Sequence, residues 1–110
     1  MQHRFFQISL VAYVFSIATT ISSAQVPLIE ATKKQDELEI EKLLSLGADV
    51  DEPQGDGSVA LHWAVYRNDD SITQLLLNNQ ADANVPDDHG VTPLTLAALN
   101  ANSTQVNLLL

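Results

Sequence analysis

One apolar pattern recurs along this chain every 33 residues, and it constrains the fold more strongly than any other feature. Leucine occurs at Leu28, Leu61 and Leu94, and an alanine stands three positions after each of these leucines. A fixed period of this length indicates stacked supersecondary units, because one such unit cannot bury its apolar face alone. The period therefore predicts a row of similar units, each packed against its neighbours.

The apolar spacing within each unit predicts two short helices joined by a turn. In the first unit, Leu28 and Ala31 are three residues apart, and Leu43 and Leu44 follow Ile40 by three and four residues. Such offsets place side chains on one face of a helix. We therefore predict an all-α solenoid of stacked helix-turn-helix units with short hairpin-like loops. It holds about three repeats, the last of them incomplete.

Several polar residues and glycines predict where these helices begin and end. Thr92 can cap a helix that begins at Pro93, because threonine accepts hydrogen bonds from free N–H groups and proline suits the first helical position. Ser103 is expected to cap the last helix in the same way. Gly47 stands where the second helix of the first unit should end in a left-handed residue.

The first 24 residues differ from the rest of the chain. Arg4 lies in a short polar start, an apolar run covers residues 5–21, and small residues lead to Ala24. This layout predicts a secretory signal peptide over residues 1–24, cleaved after Ala24. An uncleaved membrane anchor is the alternative, since the run approaches the length that spans a bilayer. We expect a secreted or periplasmic protein that does not contact the membrane after cleavage.

Composition restricts the partners and the chemistry of the remaining residues 25–110. They hold four basic residues and all fourteen acidic ones, so nucleic acid is an unsuitable ligand. The charge favours a basic partner surface, although it could equally serve only to keep the array soluble. The chain has no cysteine, which excludes disulfides and thiol chemistry.

Four segments resemble the ankyrin repeat. Residues 90–98 (GVTPLTLAA) are similar to the G-x-T-P-L-H-x-A-A core of that family, and residues 57–65 (GSVALHWAV) form a degenerate copy. Residues 43–51 and 76–84 are similar to its L-L-x-x-G-A-D-V-N ending. The resemblance covers essentially all of residues 26–110 and implies an ankyrin repeat domain over residues 25–110 that binds proteins. The predicted repeats span about residues 26–51, 52–84 and 85–110.

The resemblance also implies which residues contact a partner, because ankyrin proteins bind through their first helices and finger loops. Trp63 and Tyr66 are the only aromatic residues after the signal segment, and they are three apart on one first helix. Packing of Trp63 in the core is the alternative for that residue. His62 is expected to be structural, hydrogen-bonded to backbone near the loop. The predicted partner-binding residues are Trp63, Tyr66, Arg67, Asp56, Ser58, Lys33, Lys34, Asp88, His89, Val91, Leu99 and Asn100.

The chain carries no recognisable catalytic motif. It lacks a G-x-S-x-G elbow, a phosphate-binding glycine loop and an H-E-x-x-H pair. Asp49, Asp51 and Gly55 faintly resemble a calcium loop, but Pro53 and Ala60 occupy positions that need ligands. We therefore predict that the protein is not an enzyme and has no cofactor, catalytic residue or metal site.

Three functions are compatible with these observations. The first is an exported adaptor that docks a partner protein of unknown identity through its concave face and fingers. The second is an N-terminal targeting or regulatory module of a longer exported enzyme, redox protein or toxin. The abrupt end of the sequence in a predicted helix at Leu110 leads us to expect such a truncation. The third is a structural or membrane-tethered role, which requires an uncleaved first segment.

Overall fold

Three pairs of α-helices follow one another in residues 26–110, the part of the chain that the computed structural model describes. The predicted signal peptide lies outside these described residues. The described range contains no β-strand, in agreement with the all-α solenoid expected from the period. The helices are α1 (Pro27–Lys33), α2 (Glu37–Ser45), α3 (Ala60–Tyr66), α4 (Asp70–Asn78), α5 (Pro93–Leu99) and α6 (Ser103–Leu109).

The helix pairs stack on one another through like helices. The first helices form one row, in which α1 contacts α3 and α3 contacts α5. In the second row, α4 contacts α6. Each pair is also packed internally, and every helix in residues 26–110 except α2 makes extensive contact with a neighbouring unit as well as with its own partner. This is the mutual burial that a repeat of this length requires.

The fully buried side chains follow the periodic positions of the sequence. Leu61 in α3 and Ile72 and Leu76 in α4 are completely buried, as is Ile40 in α2. These residues come from both helix rows, so the core is a continuous layer between the rows. Burying one such aliphatic side chain stabilises the fold by about 1.5–3 kcal/mol.

Polar side chains cap the second helix of every unit at the same repeat position. Asp36, Asp69 and Asn102 each accept a hydrogen bond from the backbone N–H three residues later. The prediction that Ser103 caps the last helix is wrong by one residue. Asn102 is the residue just outside the helix, and only from there does a side chain reach the free N–H groups of the first turn. Thr92 caps α5 as predicted.

The backbone repeats left-handed turns even where the residue type does not suit them. Gln35, Asn68 and Ala101 join the two helices of each unit with φ of 56°, 56° and 55°. Gly47 ends α2 with φ of 93°, as predicted, and Gln80 takes the equivalent position after α4 with φ of 69°. A left-handed conformation costs a residue with a Cβ about 1–2 kcal/mol, and asparagine tolerates it best, so the stack imposes strain at Gln35, Gln80 and Ala101.

Two hairpin-like turns project between the units and are here called finger 1 (residues 54–58) and finger 2 (residues 87–91). Each is closed by a backbone hydrogen bond of 2.9 Å, from Gln54 N–H to the Ser58 carbonyl and from Asp87 N–H to the Val91 carbonyl. A third bond of 2.9 Å from Asp88 N–H to the Asp56 carbonyl joins the two fingers. The fingers therefore form one connected wall beside the first helices.

Candidate protein-binding groove

A groove of about 200 Å³ lies between the fingers and the row of first helices. Finger 1 and finger 2 form its polar side, and α3 and α5 form its apolar side. The stacking of two units creates this groove, since its lining comes from both the second and the third repeat. The lining residues are Asp56, Ser58, His62, Trp63, Tyr66, Asp87 and Leu96.

Two aromatic rings form the apolar side of the groove. The ring centroids of Trp63 and Tyr66 are 5.7 Å apart and their planes meet at 79°, an edge-to-face arrangement that aromatic pairs favour. The Lys33 ammonium lies 4.6 Å from the centroid of the Trp63 ring, and it also forms an ion pair of 3.4 Å with Glu30. Trp63 is thus in contact with an aromatic ring from its own unit, Tyr66, and with a cation from the unit before it, Lys33.

Trp63 is partly a core residue and partly a groove residue. Its side chain packs against the buried apolar cluster but keeps partial exposure, whereas Tyr66 is 60% exposed. The indole N–H of Trp63 is buried and has no hydrogen-bond partner among the described residues. An unsatisfied buried donor costs about 1–3 kcal/mol. Packing therefore holds the Trp63 indole in place, and hydrogen bonding does not.

Two carboxylates stand on the finger side of the groove. Asp56 accepts hydrogen bonds from the Ser58 hydroxyl at 2.6 Å and from the Ser58 N–H at 3.0 Å, and these bonds lower its pKa below the usual 3.8. The pKa of Asp87 is also lowered, chiefly by the N–H of Val91 and further by that of His89. Both groups are therefore anionic at neutral pH, and both line the same groove as Trp63 and Tyr66.

His62 connects α3 to finger 2 through both nitrogens of its ring. Nδ1 lies 3.0 Å from the Val59 N–H and accepts its hydrogen bond, while Nε2 lies 2.7 Å from the Val91 carbonyl. The carbonyl can only accept, so the network assigns the proton to Nε2. This confirms the structural role expected for His62. His62 is the third residue of α3, and its ring accepts from the N–H of Val59, the residue just before the helix; Val59 itself has no side-chain oxygen to cap the first turn.

The structure brings together five of the predicted partner-binding residues. Asp56, Ser58, Trp63 and Tyr66 line the groove, and Lys33 contacts the Trp63 ring. Ser58 is only 6% exposed and its hydroxyl is already bonded to Asp56 and Gln54. Its contribution there is to orient the Asp56 carboxylate.

The other predicted residues lie outside the groove lining. Leu99 is 74% exposed at the end of α5. Val91 is half-buried, and its carbonyl and N–H are hydrogen-bonded to His62 and Asp87. Asn100 donates a weak bond of 3.4 Å to the Val65 carbonyl. The remaining exposed candidates are Lys34, Arg67, Asp88 and His89.

Two groove residues, Leu96 and Asp87, were missed by the sequence reasoning. Leu96 stands 33 residues after Trp63, so the period itself places it at the same helical position in the next unit. Asp87 begins finger 2 and was overlooked beside Asp88 and His89. Tracing each first-helix candidate forward by one period would have found Leu96.

The described residues offer little else that could hold a ligand. No group of three or more histidine, aspartate or glutamate side chains in residues 26–110 is arranged to hold a metal ion. Within the same range, every helix is too short to cross a membrane.

Comparisons with known proteins identify the family. A family model described as "Ankyrin repeats (3 copies)" matches residues 28–110, and the chain therefore belongs to the ankyrin-repeat family. Proteins of this family generally bind other proteins through their repeats.

Curated proteins with similar sequences include two that are longer than this chain. The chain is 35% identical over 85 residues to "26S proteasome non-ATPase regulatory subunit 10" of Dictyostelium discoideum, covering 76% of this chain and 37% of that protein. It is 40% identical over 67 residues to "Mitochondrial disaggregase" of Bos taurus, covering 61% of this chain and 10% of that protein. The chain thus spans much less than two thirds of either relative.

Proposed function

We propose that this protein is an exported interaction scaffold or adaptor that binds a partner protein through its first helices and fingers. The observation that carries the proposal is the groove between the fingers and α3, where large apolar side chains remain accessible beside ionised carboxylates. Protein interfaces combine these features, with aromatic anchors at the centre and polar groups at the rim.

A row of accessible side chains extends this face across all three units. Lys33, Tyr66 and Leu99 occupy the same position at the ends of α1, α3 and α5. Tyr66 and Leu99 are 60% and 74% exposed. Exposed apolar side chains aligned along one side of a protein are typical of interaction surfaces. The row supports a partner that contacts several repeats at once.

A double substitution on this face tests the proposal. Tyr66→Ala combined with Arg67→Ala should weaken capture of a cross-linked native partner by about tenfold or more, because aromatic and arginine anchors dominate interface energies. Helicity should stay unchanged, since both side chains are exposed. Circular dichroism and quantitative capture provide the two measurements.

A matched control removes similar side chains from another surface. Lys42→Ala with Leu46→Ala deletes an exposed basic and an exposed apolar side chain at the end of α2. This variant should capture the partner as the unmodified protein does. Equal losses in both double variants, or no loss in the Tyr66 and Arg67 variant, would remove this face from consideration.

The export part of the proposal depends on the signal-peptide pattern in residues 1–24. The expected product is a chain beginning at Gln25 in the exported fraction of the source cells. Intact-mass measurement of the native protein in each cell fraction decides this point. A chain that retains residues 1–24 in the membrane fraction would favour the tethered alternative.

A second candidate function is a targeting or regulatory module of a longer exported enzyme, redox protein or toxin. The lengths of the curated relatives support it, since the stretch that matches the mitochondrial disaggregase is a tenth of that protein. The same intact-mass measurement tests this alternative. A native mass well above that of residues 25–110 would favour it over a self-contained adaptor.

A further inference from the structure

We propose that the groove selects an arginine side chain presented by an extended segment of the partner protein. The inference rests on the proposed function, because it names the chemistry that the same face recognises. In this arrangement the side-chain stem lies along Trp63, Tyr66 and Leu96. The guanidinium lies between the carboxylates of Asp56 and Asp87.

The dimensions of the groove suit one long side chain. Its volume of about 200 Å³ is smaller than the roughly 300–1,000 Å³ of typical small-molecule sites. A folded element of a partner needs more space than this, whereas a single inserted side chain does not. The occupant is therefore a side chain anchored by a segment that continues across the outer surface.

The two sides of the groove differ in character, as do the two ends of an arginine side chain. The α3 and α5 side presents Trp63, Tyr66 and Leu96, which can cover methylene groups. The finger side presents Asp56 and Asp87. No lysine or arginine lines the groove, and both ring nitrogens of His62 are bonded to backbone groups, so neither carboxylate has a salt-bridge partner there.

The Trp63 ring already has one cation against it, the Lys33 ammonium, so the arginine stem uses the part of the ring that lines the groove. The Lys33 ammonium lies 4.6 Å from the ring centroid, but its ion pair is with Glu30 and not with either finger carboxylate. Arginine suits the groove better than lysine does. The planar guanidinium stacks on aromatic rings and donates hydrogen bonds in two directions, whereas an ammonium acts as a point charge.

The first step of the experiment is selection of random displayed peptides against the 110-residue chain. Selected sequences should share an arginine. Each selected peptide is then synthesised twice, once with arginine and once with citrulline, which has the same shape without the charge. The citrulline form should bind about tenfold more weakly or worse in fluorescence anisotropy.

Paired protein variants locate the charge that matters. Asp56→Asn with Asp87→Asn removes two charges but keeps an oxygen that can accept the finger hydrogen bonds. This variant should lose about tenfold in affinity for the arginine peptide and little for the citrulline peptide. Glu39→Gln with Glu41→Gln, on α2, makes the same change in net charge and should alter affinity less than about twofold.

The outcomes separate this inference from the proposed function. Selected peptides that lack arginine, yet lose binding to the Tyr66→Ala and Arg67→Ala variant, would overturn the inference and leave the binding face intact. Equal affinity for the arginine and citrulline peptides would also overturn it. If no peptide is enriched, the arginine groove is wrong, and partner capture alone decides the proposed function.

Discussion

At the scale of single residues, His62 stabilises two parts of the fold, the start of α3 and finger 2. One imidazole ring accepts from the N–H of Val59, just before α3, and donates to the carbonyl of Val91 in finger 2. The ring is 3% exposed, so water cannot replace either hydrogen bond. The equivalent positions in the other units hold Ile29 and Thr95, so within the described residues only His62 joins a first helix to a finger in this way.

Replacing His62 should therefore destabilise the protein strongly. His62→Ala leaves the buried Val59 N–H without a partner, removes the link from α3 to the Val91 carbonyl and creates a small cavity, at a cost of about 2–4 kcal/mol. Urea denaturation followed by circular dichroism measures the change. His89→Ala, at an exposed histidine in finger 2, is the control and should stay within about 0.5 kcal/mol. A cost below 1 kcal/mol for His62→Ala would contradict the bridging role.

Asp56 is expected to make a pH-dependent contribution to stability. The Ser58 hydroxyl and N–H lower its pKa in the folded protein below 3.8. The ionised form of the carboxylate is therefore more stable in the folded state than in the unfolded state. Its stabilising effect is complete well above 3.8 and is lost as the pH falls through the lower folded value. The effect is modest, because the carboxylate is exposed to water.

Urea denaturation from pH 7 to pH 2.5 tests this contribution of Asp56. It gives the free energies of unfolding of the parent protein and of Asp56→Asn. Their difference should be constant near neutral pH and should shrink as the pH falls below 3.8. The same comparison in a Ser58→Ala background should show a weaker pH dependence, since the strongest donor is gone. An unchanged pH dependence in that background would show that Ser58 is not the cause.

At the scale of elements, the two fingers form one unit because their backbones nearly touch. Gly57 has φ of 81°, and a Cβ on it would lie 2.6 Å from Oδ1 and 3.0 Å from the backbone nitrogen of Asp88. Gly90 has a similar φ of 78° but open space around it, and Gly55 has neither restriction. These three glycines separate backbone strain from steric contact between the fingers.

Alanine substitutions at the three glycines should follow a fixed order of destabilisation. Gly55→Ala should change the free energy of unfolding by less than about 0.5 kcal/mol. Gly90→Ala should cost about 1–2 kcal/mol from the left-handed backbone alone. Gly57→Ala should cost more than Gly90→Ala, because finger 2 must also move away. Equal costs at Gly57 and Gly90, measured by urea denaturation, would mean that the fingers move apart freely.

The elements were largely predictable from the sequence, and the groove was not. The period placed the helix pairs, and local rules placed Thr92 and Gly47, because capping and left-handed turns involve only a few neighbouring residues. The contact of His62 with finger 2 was expected only through the family resemblance. The pairing of Trp63 with Asp87 and Leu96 across the groove depends on how two units stack. Period alone does not specify the distances and side-chain rotamers that this stacking sets.

At the scale of the whole molecule, charge and stacking act against each other. Residues 26–110 contain fourteen acidic and four basic side chains. Glu30 with Lys33 is the only ion pair within this described range. Such an excess of one sign repels itself in the folded state. Apolar contacts and hydrogen bonds between units therefore hold the stack together against the repulsion of its own surface charge.

Salt should consequently act in opposite directions on stability and on binding. Raising NaCl from about 0.01 M to 0.1 M shortens the screening length from about 30 Å to 10 Å. Weaker self-repulsion should raise the free energy of unfolding, by the order of 1 kcal/mol. The same screening should weaken binding of a cationic peptide in the groove. Urea denaturation and fluorescence anisotropy on one preparation provide both measurements, and sucrose at matched osmolality controls for solvent exclusion.

The electrostatic explanation requires both results, a rise in stability and a fall in peptide binding as salt is added. Glu39→Gln with Glu41→Gln should reduce the salt effect on stability, because it makes the protein less negative and leaves the groove residues unchanged. Asp56→Asn with Asp87→Asn should reduce both salt effects, since it lowers the net charge and also removes the carboxylates that face the peptide. If salt lowers the stability of the parent protein, self-repulsion is not the dominant effect of its charge, because the ion pair of Glu30 with Lys33 is too weak to hide it.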